Sequence, residues 1–266
     1  MKRASIALGL ALASLCLLFS HAQGQSKKNP VSPSAPTTFS QVNVSGTWEA
    51  FQVGFYGKMR QTGDRVVGET TVGDPGFIRG GWSQGYLAFV VFRFTEWDTK
   101  CNRDSFVARP KQGSVKELEG KWTVDGRPDG IVRTSAESAG DVDYPYEKEL
   151  KLCGDLPSYE LGFDVNSDAL KGTNWPILSA VAGLLKNDPG MKIRVVGHTD
   201  STGDPAKNKT LSEKRAEAVK KKLVEAYGAD PQRIATEGLG ADQPIDDNGT
   251  DLGRAINRRV EIAISR

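Results

Sequence analysis

The sequence predicts two domains: an N-terminal all-β small barrel or sandwich, followed by a C-terminal α+β sandwich with the element order β-α-β-α-β-β. Strand-like runs bounded by turn sequences such as "TGD", "GDPG" and "SQG" fill residues 42–155. From Ser158 onward the pattern changes, and apolar residues recur at helical spacing in two segments. We therefore expect a β-domain over residues 42–155 and an α+β domain over residues 156–266.

Composition and charge exclude several classes of protein. The chain has 266 residues, of which 38% are hydrophobic and 26% charged, and its formal net charge is +2. The last 109 residues carry sixteen Lys and Arg against sixteen Asp and Glu. Such a balanced charge gives no reason to expect a polyanionic partner, so we do not expect binding to nucleic acid.

The first residues predict export. Lys2 and Arg3 precede an apolar run from Ile6 to Phe19, which is too short for a membrane span of roughly 20 residues but suits the core of a signal peptide. We expect a signal peptide over residues 1–22, with Cys16 discarded inside it. The Ser- and Pro-rich residues 23–41 are expected to form an extended tether.

Two cysteines, Cys101 and Cys153, remain in the exported chain. In an oxidising compartment we expect them to form a disulfide, which would stabilise the fold by roughly 4 kcal/mol in the chain-entropy model. Free thiols or a metal site are less favoured, because His198 would be the only histidine left after cleavage. We expect neither a metal nor a cofactor.

The β-domain contains a weak internal repeat of the form Gly-x-Trp. The glycines stand at Gly46, Gly80 and Gly120, at spacings of 34 and 40 residues. This pattern suggests a meander whose glycines allow bends where a tryptophan packs. It resembles the lipocalin-like modules that open with Gly-x-Trp. The strand-like runs are shorter than the roughly 9–11 residues of membrane-spanning strands, which favours a soluble β-domain over a transmembrane barrel.

The elements of the α+β domain follow from periodicity and from stop signals. The first helix has Ile177, Val181, Leu184 and Leu185 at i, i+4, i+7 and i+8, and the second ends at Gly228. In chain order we expect the strand "SYELGFDV", the helix "WPILSAVAGLLKNDPG", the strand "KIRVVGH", the helix "LSEKRAEAVKKKLVEAYG", and the strands "RIATEGLG" and "RRVEIAIS".

An acid and an arginine flank the polar loop between the second strand and the second helix. Asp200 follows the strand, and Arg215 lies on the first turns of a helix for which Asn208 or Thr210 would be the cap. A strand end, a loop and a helix start form the usual geometry of a ligand crevice. The two charges could bind the ends of an amino acid, pair with each other, or serve only as a turn acid and a solvated arginine.

The segment "TDSTGDPAKNKTLSEKRAEAV" matches the pattern TDxxGxxxxNxxLSxxRAxxV, and it resembles the OmpA-like peptidoglycan-associated domain. "FDVNSDAL" and "NGTDLGRAINRRVEI" resemble the family's opening and closing motifs, so the resemblance covers roughly residues 158–266. It implies binding of peptidoglycan stem peptides, with Asp200 and Arg215 holding the amino group and carboxylate of diaminopimelate. The resemblance also implies a set of pocket-lining residues: Phe163, Asp164, Thr199, Asn208 and Leu211. We expect Arg258 and Arg259 to be partly structural, with one of them in packing or an internal ion pair.

The sequence thus predicts a non-catalytic protein of the cell envelope, in the periplasm and associated with the outer membrane or the wall. Catalysis is not expected, because His198 and Asp200 lack a third metal ligand and no nucleophile is presented beside them. In the alternative, the β-domain is the main functional part, either as a lipocalin-like carrier or as a module that binds an outer-membrane or periplasmic protein.

Overall fold

A computed structural model of the chain describes residues 42–50, 55–70, 76–95, 97–123, 128–173 and 175–265. The expected signal peptide (1–22) and tether (23–41) lie outside the described residues. None of the helices in the described ranges is long and apolar enough to cross a membrane.

The N-terminal part of the described chain is a closed antiparallel barrel of eight strands. Each strand pairs with the next one along the chain, and β1 closes the ring by pairing with β8. Of the two architectures left open by the sequence, the barrel is the one that forms. Its strands are β1 (Gly46–Ala50), β2 (Phe55–Thr62), β3 (Arg65–Thr70), β4 (Gly76–Ser83), β5 (Tyr86–Arg93), β6 (Arg103–Pro110), β7 (Glu117–Trp122) and β8 (Pro128–Ser135).

The Gly-x-Trp repeat explains how the barrel interior is packed. All three tryptophans of the repeat, Trp48, Trp82 and Trp122, are buried in one cluster with aromatic and aliphatic side chains. The ring of Trp122 lies 4.9 Å from that of Phe106, centroid to centroid. A Cβ atom at Gly80 would collide with the neighbouring strand at Ala88 and Phe89. The glycines therefore allow close strand contacts where the tryptophans fill the core.

A short helix, α1 (Tyr146–Cys153), follows the barrel in a stretch that was expected to be β. Two acids in its first turn and a left-handed glycine, Gly154, at its end favour this helix over a strand. Its last residue, Cys153, is bonded to Cys101 in the β5–β6 loop, as the sequence predicted. The disulfide thus ties the barrel to α1.

The C-terminal part is a four-stranded sheet in the order β11-β10-β12-β9, with helices between its strands. The central strand β10 is parallel to β11 and antiparallel to β12, and β12 pairs antiparallel with β9. The predicted α+β order is confirmed, with one additional short helix before the last strand. The elements are β9 (Asp155–Ser158), α2 (Pro176–Asn187), β10 (Lys192–His198), α3 (Pro205–Tyr227), β11 (Ile234–Gly240), α4 (Asp251–Asn257) and β12 (Val260–Ser265).

Two element boundaries differ from the prediction. The first strand is Asp155–Ser158 rather than "SYELGFDV", because its partner β12 begins at Val260, which lies opposite Ser158. The apolar residues beyond Ser158 pack into the core from an irregular segment, in which Phe163 forms only an isolated bridge with Leu170.

The second difference concerns the start of α3, which lies six residues before the predicted Leu211. Asp204 is the N-cap and accepts a hydrogen bond from the Lys207 amide at 2.9 Å. Pro205 occupies the first turn, where its missing N–H costs nothing. Asn208 and Thr210 are therefore inside the helix and do not cap it. Gly228 ends α3 in a left-handed conformation, as predicted.

A buried ion pair joins the barrel to the C-terminal part, and the two belong to one compact unit, Thr38–Arg266. Arg79 of β4 donates from Nε and Nη2 to the carboxylate of Glu149 in α1, both at 2.9 Å, and from Nη1 to the carbonyl of Pro157 at 2.8 Å. The rings of Tyr144 and Tyr146 flank the guanidinium at 5.2 and 5.7 Å. Both charged side chains are fully buried, and their charges are neutralised within a small cluster in which Arg103 also pairs with Glu149 at 3.2 Å and Glu160 with Arg79 at 3.6 Å.

Candidate functional site

Asp200 lies just beyond the carboxyl end of β10, the central strand flanked by β11 and β12. Only 7% of its surface is exposed. Its Oδ1 accepts hydrogen bonds from the amide of Thr202, at 2.8 Å, and from the Thr202 hydroxyl. Its Oδ2 accepts one from Nη1 of Arg258 at 2.7 Å. A carboxylate has about four acceptor positions, so one remains for a further donor.

The surroundings of Asp200 keep it ionised. Burial by itself would raise the pKa of this carboxyl group. The hydrogen bonds from Thr202 and the ion pair with Arg258 outweigh burial and hold the pKa below its usual value. The site therefore presents a fixed negative charge at neutral pH.

Arg215 lies on α3 and is 6% exposed. Its Nε donates to the carbonyl of Ser167 at 3.0 Å and its Nη2 to the carbonyl of Asp164 at 3.1 Å. The ring of Phe163 lies 5.1 Å from the centre of the guanidinium, within cation–π range. These contacts fix the side chain in place. Among the described residues no carboxylate forms an ion pair with Arg215, and Asp200 and Asp168 act on it only at longer range.

Burial, together with the nearby positive charge of Arg258, lowers the pKa of Arg215 to about 10. At neutral pH the side chain is still a cation. A guanidinium that is both buried and bonded only to neutral carbonyls gains from any anion that can reach it.

The cationic partner of Asp200 is Arg258, which the sequence treated as partly structural. Arg258 forms the ion pair with Asp200, whereas Arg215 donates its hydrogen bonds to backbone carbonyls. Arg259, its neighbour, forms an internal ion pair with Glu261 at 2.6 Å. The expectation of one internal ion pair is met by Arg259, while the contribution of Arg258 to the site was missed.

The other residues predicted for the pocket have different surroundings. Phe163 contacts Arg215, and the exposed Asp164 contributes its carbonyl to Arg215 and its carboxylate to Lys171, at 3.4 Å. Asn208 donates to the carbonyls of Asp200 and Thr202 at 3.2 and 2.9 Å and so holds the loop. Their part in ligand binding stays a prediction.

Thr199 and Leu211 complete the predicted set. Thr199 is buried, and its hydroxyl oxygen has no hydrogen-bond partner among the described residues. Leu211 is half-buried on α3, one turn ahead of Arg215. Thr199 is next to Asp200 in the sequence, and Leu211 is four residues before Arg215. Contact of either residue with a ligand stays a prediction.

A narrow cleft of about 30 Å³ opens between the barrel and the C-terminal part. Its lining includes Ser83, Gln84 and Tyr86 from the barrel, and Phe163, Arg215 and Arg258 from the C-terminal part. Sequence patterns predicted the "SQG" turn but not its place in this cleft, because the barrel residues lie more than 70 positions from the motif that they meet.

A second charged cluster lies beside the site, on β10 and β12. Nε2 of the buried His198 is 3.8 Å from the Glu261 carboxylate, which also pairs with Arg259. Burial would raise the pKa of Glu261, but His198 and Arg259 outweigh it and lower that pKa to about 2. This cluster helps to hold the strand from which Asp200 follows.

The fold and this arrangement define a class: an α+β domain that presents a buried acid and a buried arginine beyond the end of its central strand. The model of the OmpA family matches residues 162–258, within the C-terminal part of the chain.

Relatives of known identity match the same part of the chain. It is 44% identical over 103 residues to outer membrane protein Omp38 of Acinetobacter baumannii, covering 39% of this chain and 29% of that protein. It is 39% identical over 120 residues to the peptidoglycan-binding protein ArfA of Mycobacterium tuberculosis, covering 42% of this chain and 36% of the relative. The chain therefore spans about a third of the length of these relatives.

Among solved structures, the peptidoglycan-associated lipoprotein of Burkholderia pseudomallei matches at 29% identity with a TM-score of 0.36. The match covers 39% of this chain and 86% of that one.

Proposed function

We propose that the chain is a non-catalytic protein of the bacterial cell envelope whose C-terminal domain binds peptidoglycan stem peptides through diaminopimelate. In this way it anchors the barrel to the wall. The match of this domain to the OmpA family model supports the proposal, as does its similarity to a peptidoglycan-binding protein and to an outer membrane protein. The same relatives support a location in the periplasm, at the outer membrane or the wall.

The observation that carries this proposal is the state of Arg215. Its guanidinium is buried, it is held by two backbone carbonyls, and its pKa is lowered to about 10. Holding a cation in this way is unfavourable unless an anion arrives. A carboxylate of diaminopimelate would supply that anion and could accept the remaining guanidinium donors.

Asp200 provides the complementary contact. Its free acceptor position can take an N–H of the ammonium group on the same end of diaminopimelate. The pocket would then bind a zwitterionic group, carboxylate to Arg215 and ammonium to Asp200, while Arg258 keeps the aspartate ionised. This arrangement performs recognition and requires neither a nucleophile nor a metal, which supports a binding role over catalysis.

Each of the two contacts would contribute about 1.5–3 kcal/mol before the costs of ordering the ligand, so we expect micromolar to millimolar affinity for one stem peptide. A sacculus presents many copies of the peptide. The resulting high local concentration can hold the protein at the wall without tight binding at a single site.

The barrel is the second candidate for a functional part. Its interior is occupied by packed aromatic and aliphatic side chains, which disfavours a lipocalin-like carrier of a small hydrophobic ligand. Trp97, in the β5–β6 loop, is 82% exposed. A tryptophan of this kind favours contact with an outer-membrane or periplasmic protein. Loss of such a contact in a Trp97→Ala variant that still binds the wall would test this role.

Co-sedimentation with diaminopimelate-containing sacculi tests the anchor. Wild type is expected to pellet, whereas Asp200→Asn and Arg215→Met should bind about tenfold or more weakly, because each loses one charge-assisted contact. Both replacements preserve side-chain size, and circular dichroism verifies that each variant is folded.

Matched controls remove the same charges far from the site. Arg194→Met breaks an exposed pair with Glu237, and Asp141→Asn breaks an exposed pair with Arg60. Both should pellet like wild type. If the site variants pellet as well as these controls do, the proposed pocket is wrong.

A further inference from the structure

The turn between β4 and β5 of the barrel lies in the same cleft as the arginines of the proposed peptidoglycan site. Ser83, Gln84 and Tyr86 line this cleft together with Arg215 and Arg258. The two parts of the chain are far apart in sequence, so only the packing of the barrel against the C-terminal part brings these side chains together.

A glycine on β4 makes this close packing possible. A Cβ atom at Gly81 would lie 2.9 Å from the carbonyl oxygen of Tyr159 and 2.9 Å from that of Asp64. Both distances are shorter than real Cβ contacts allow. The barrel strand therefore passes the segment after β9 at a separation that only glycine permits, and this fixes the turn at the rim of the site.

The turn has an unusual backbone for its sequence. Gln84 and Gly85 both adopt positive φ angles, of 52° and 83°. Asn, Asp and Gly are the residues usually found at the first of these positions in a two-residue hairpin turn, whereas Gln is uncommon there. Strained residues of this kind cluster at functional sites, and the side chain of Gln84 is exposed at the mouth of the cleft.

Tyr86, the last residue of the turn, contacts the ion pair of the site. The guanidinium of Arg258 lies 5.9 Å from the centre of the Tyr86 ring, within cation–π range, and the same guanidinium is 2.7 Å from Asp200. The barrel is thus connected to Asp200 through Tyr86 and Arg258.

The size of the cleft determines which part of a ligand can enter. Its volume of about 30 Å³ corresponds to about two water molecules, which suits the two oxygens of a carboxylate. The remainder of a stem peptide must lie across the rim, where Gln84 is exposed. A carboxamide both donates and accepts hydrogen bonds, as a peptide amide does.

We propose that the β4–β5 turn of the barrel is part of the peptidoglycan site and that the Gln84 carboxamide binds a backbone amide of the stem peptide next to diaminopimelate. This inference rests on the proposed function. It gives the barrel a direct part in recognition, in addition to being anchored, and makes the full site a joint product of both parts of the chain.

Titration calorimetry on residues 23–266 tests the inference with two probes: the disaccharide tetrapeptide released from diaminopimelate-type sacculi by muramidase, and free meso-diaminopimelate. Gln84→Gly removes the side chain at a left-handed position that glycine adopts readily, so the variant should fold. We expect it to bind the tetrapeptide about three- to tenfold more weakly, the effect of losing one or two hydrogen bonds. Its binding of free meso-diaminopimelate should stay within about twofold of wild type, because the contact is made to the peptide.

Gln112→Gly is the matched control. Gln112 is an exposed glutamine followed by a glycine in the β6–β7 turn of the same barrel, and it does not line the cleft. It should bind both probes like wild type. The inference is overturned if Gln84→Gly binds the tetrapeptide like Gln112→Gly while Asp200→Asn has lost binding; in that case the proposed function stands alone. The inference is also overturned if Gln84→Gly weakens binding of both probes equally. If wild type binds neither probe, both the proposed function and this inference are wrong.

Discussion

Replacing Arg79 by methionine should destabilise the protein strongly, because the change leaves a buried carboxylate without its main partner. The substitution removes two 2.9 Å hydrogen bonds to Glu149 and one of 2.8 Å to Pro157 from a site with no solvent exposure. Breaking a buried pair from one side typically costs 3–5 kcal/mol. Arg103, at 3.2 Å, still pairs with Glu149, so we expect the lower end, about 3 kcal/mol.

Thermal unfolding followed by circular dichroism measures this effect. For a chain of this size 1 kcal/mol corresponds to roughly 2–4 °C, so the midpoint should fall by about 6–12 °C. Adding Glu149→Gln to Arg79→Met should restore part of the loss, because the buried charge is then gone. The surface variant Arg194→Met should change the midpoint very little. A midpoint for Arg79→Met equal to that of Arg194→Met would refute the assignment of this pair as a stabilising link between barrel and C-terminal domain.

Three further predictions concern the disulfide, the loss of stability at low pH and the close packing at Gly81. Replacing Cys101 and Cys153 by serine should lower the free energy of unfolding by up to about 4 kcal/mol, since the bond spans 52 residues; a denaturant midpoint unchanged from wild type would contradict this. The folded-state pKa of Glu261, about 2, lies below its ordinary 4.5, so its contribution of about 3 kcal/mol is present above pH 4.5 and is lost as the pH falls toward 2. Denaturant titrations across this window should show that decline in wild type and a shallower one in Glu261→Gln. Gly81→Ala should cost about 1–3 kcal/mol because its Cβ has no room, whereas Gly140→Ala, where the space is open, should be neutral; equal midpoints would show that the strand can shift.

Local patterns in the sequence predicted a large part of the fold. The helical spacing of Ile177, Val181 and Leu185 gave α2, and the alternation of Val260 and Ile262 gave β12, because each pattern reports directly on which face is buried. The predicted boundaries of β9 and α3 were wrong. The end of β9 depends on where its partner β12 begins, and the start of α3 depends on Asp204 being the N-cap in place of Asn208 or Thr210.

The electrostatic partners in and around the site were harder to predict. Asp200 and Arg258 are 58 positions apart, and only the pairing of β10 with β12 brings them together. No sequence pattern marked Arg79 of β4 as an interior residue, yet it is fully buried and pairs with Glu149 of α1. Contacts between two parts of a fold leave no periodic signal in either of them. The turn at Gln84 was predicted from "SQG", but its position beside Arg215 and Arg258 was not, for the same reason.

The most direct test of the central claim compares two muropeptides that differ by a single carboxylate, one with diaminopimelate and one with lysine in the stem peptide. Calorimetry with residues 23–266 should give micromolar to millimolar binding of the diaminopimelate form. We expect the lysine form to bind at least about tenfold more weakly, because it has no carboxylate for Arg215. In Arg215→Met the difference between the two should disappear. Equal affinity of wild type for both muropeptides would contradict the assignment of Arg215 as the carboxylate-binding residue.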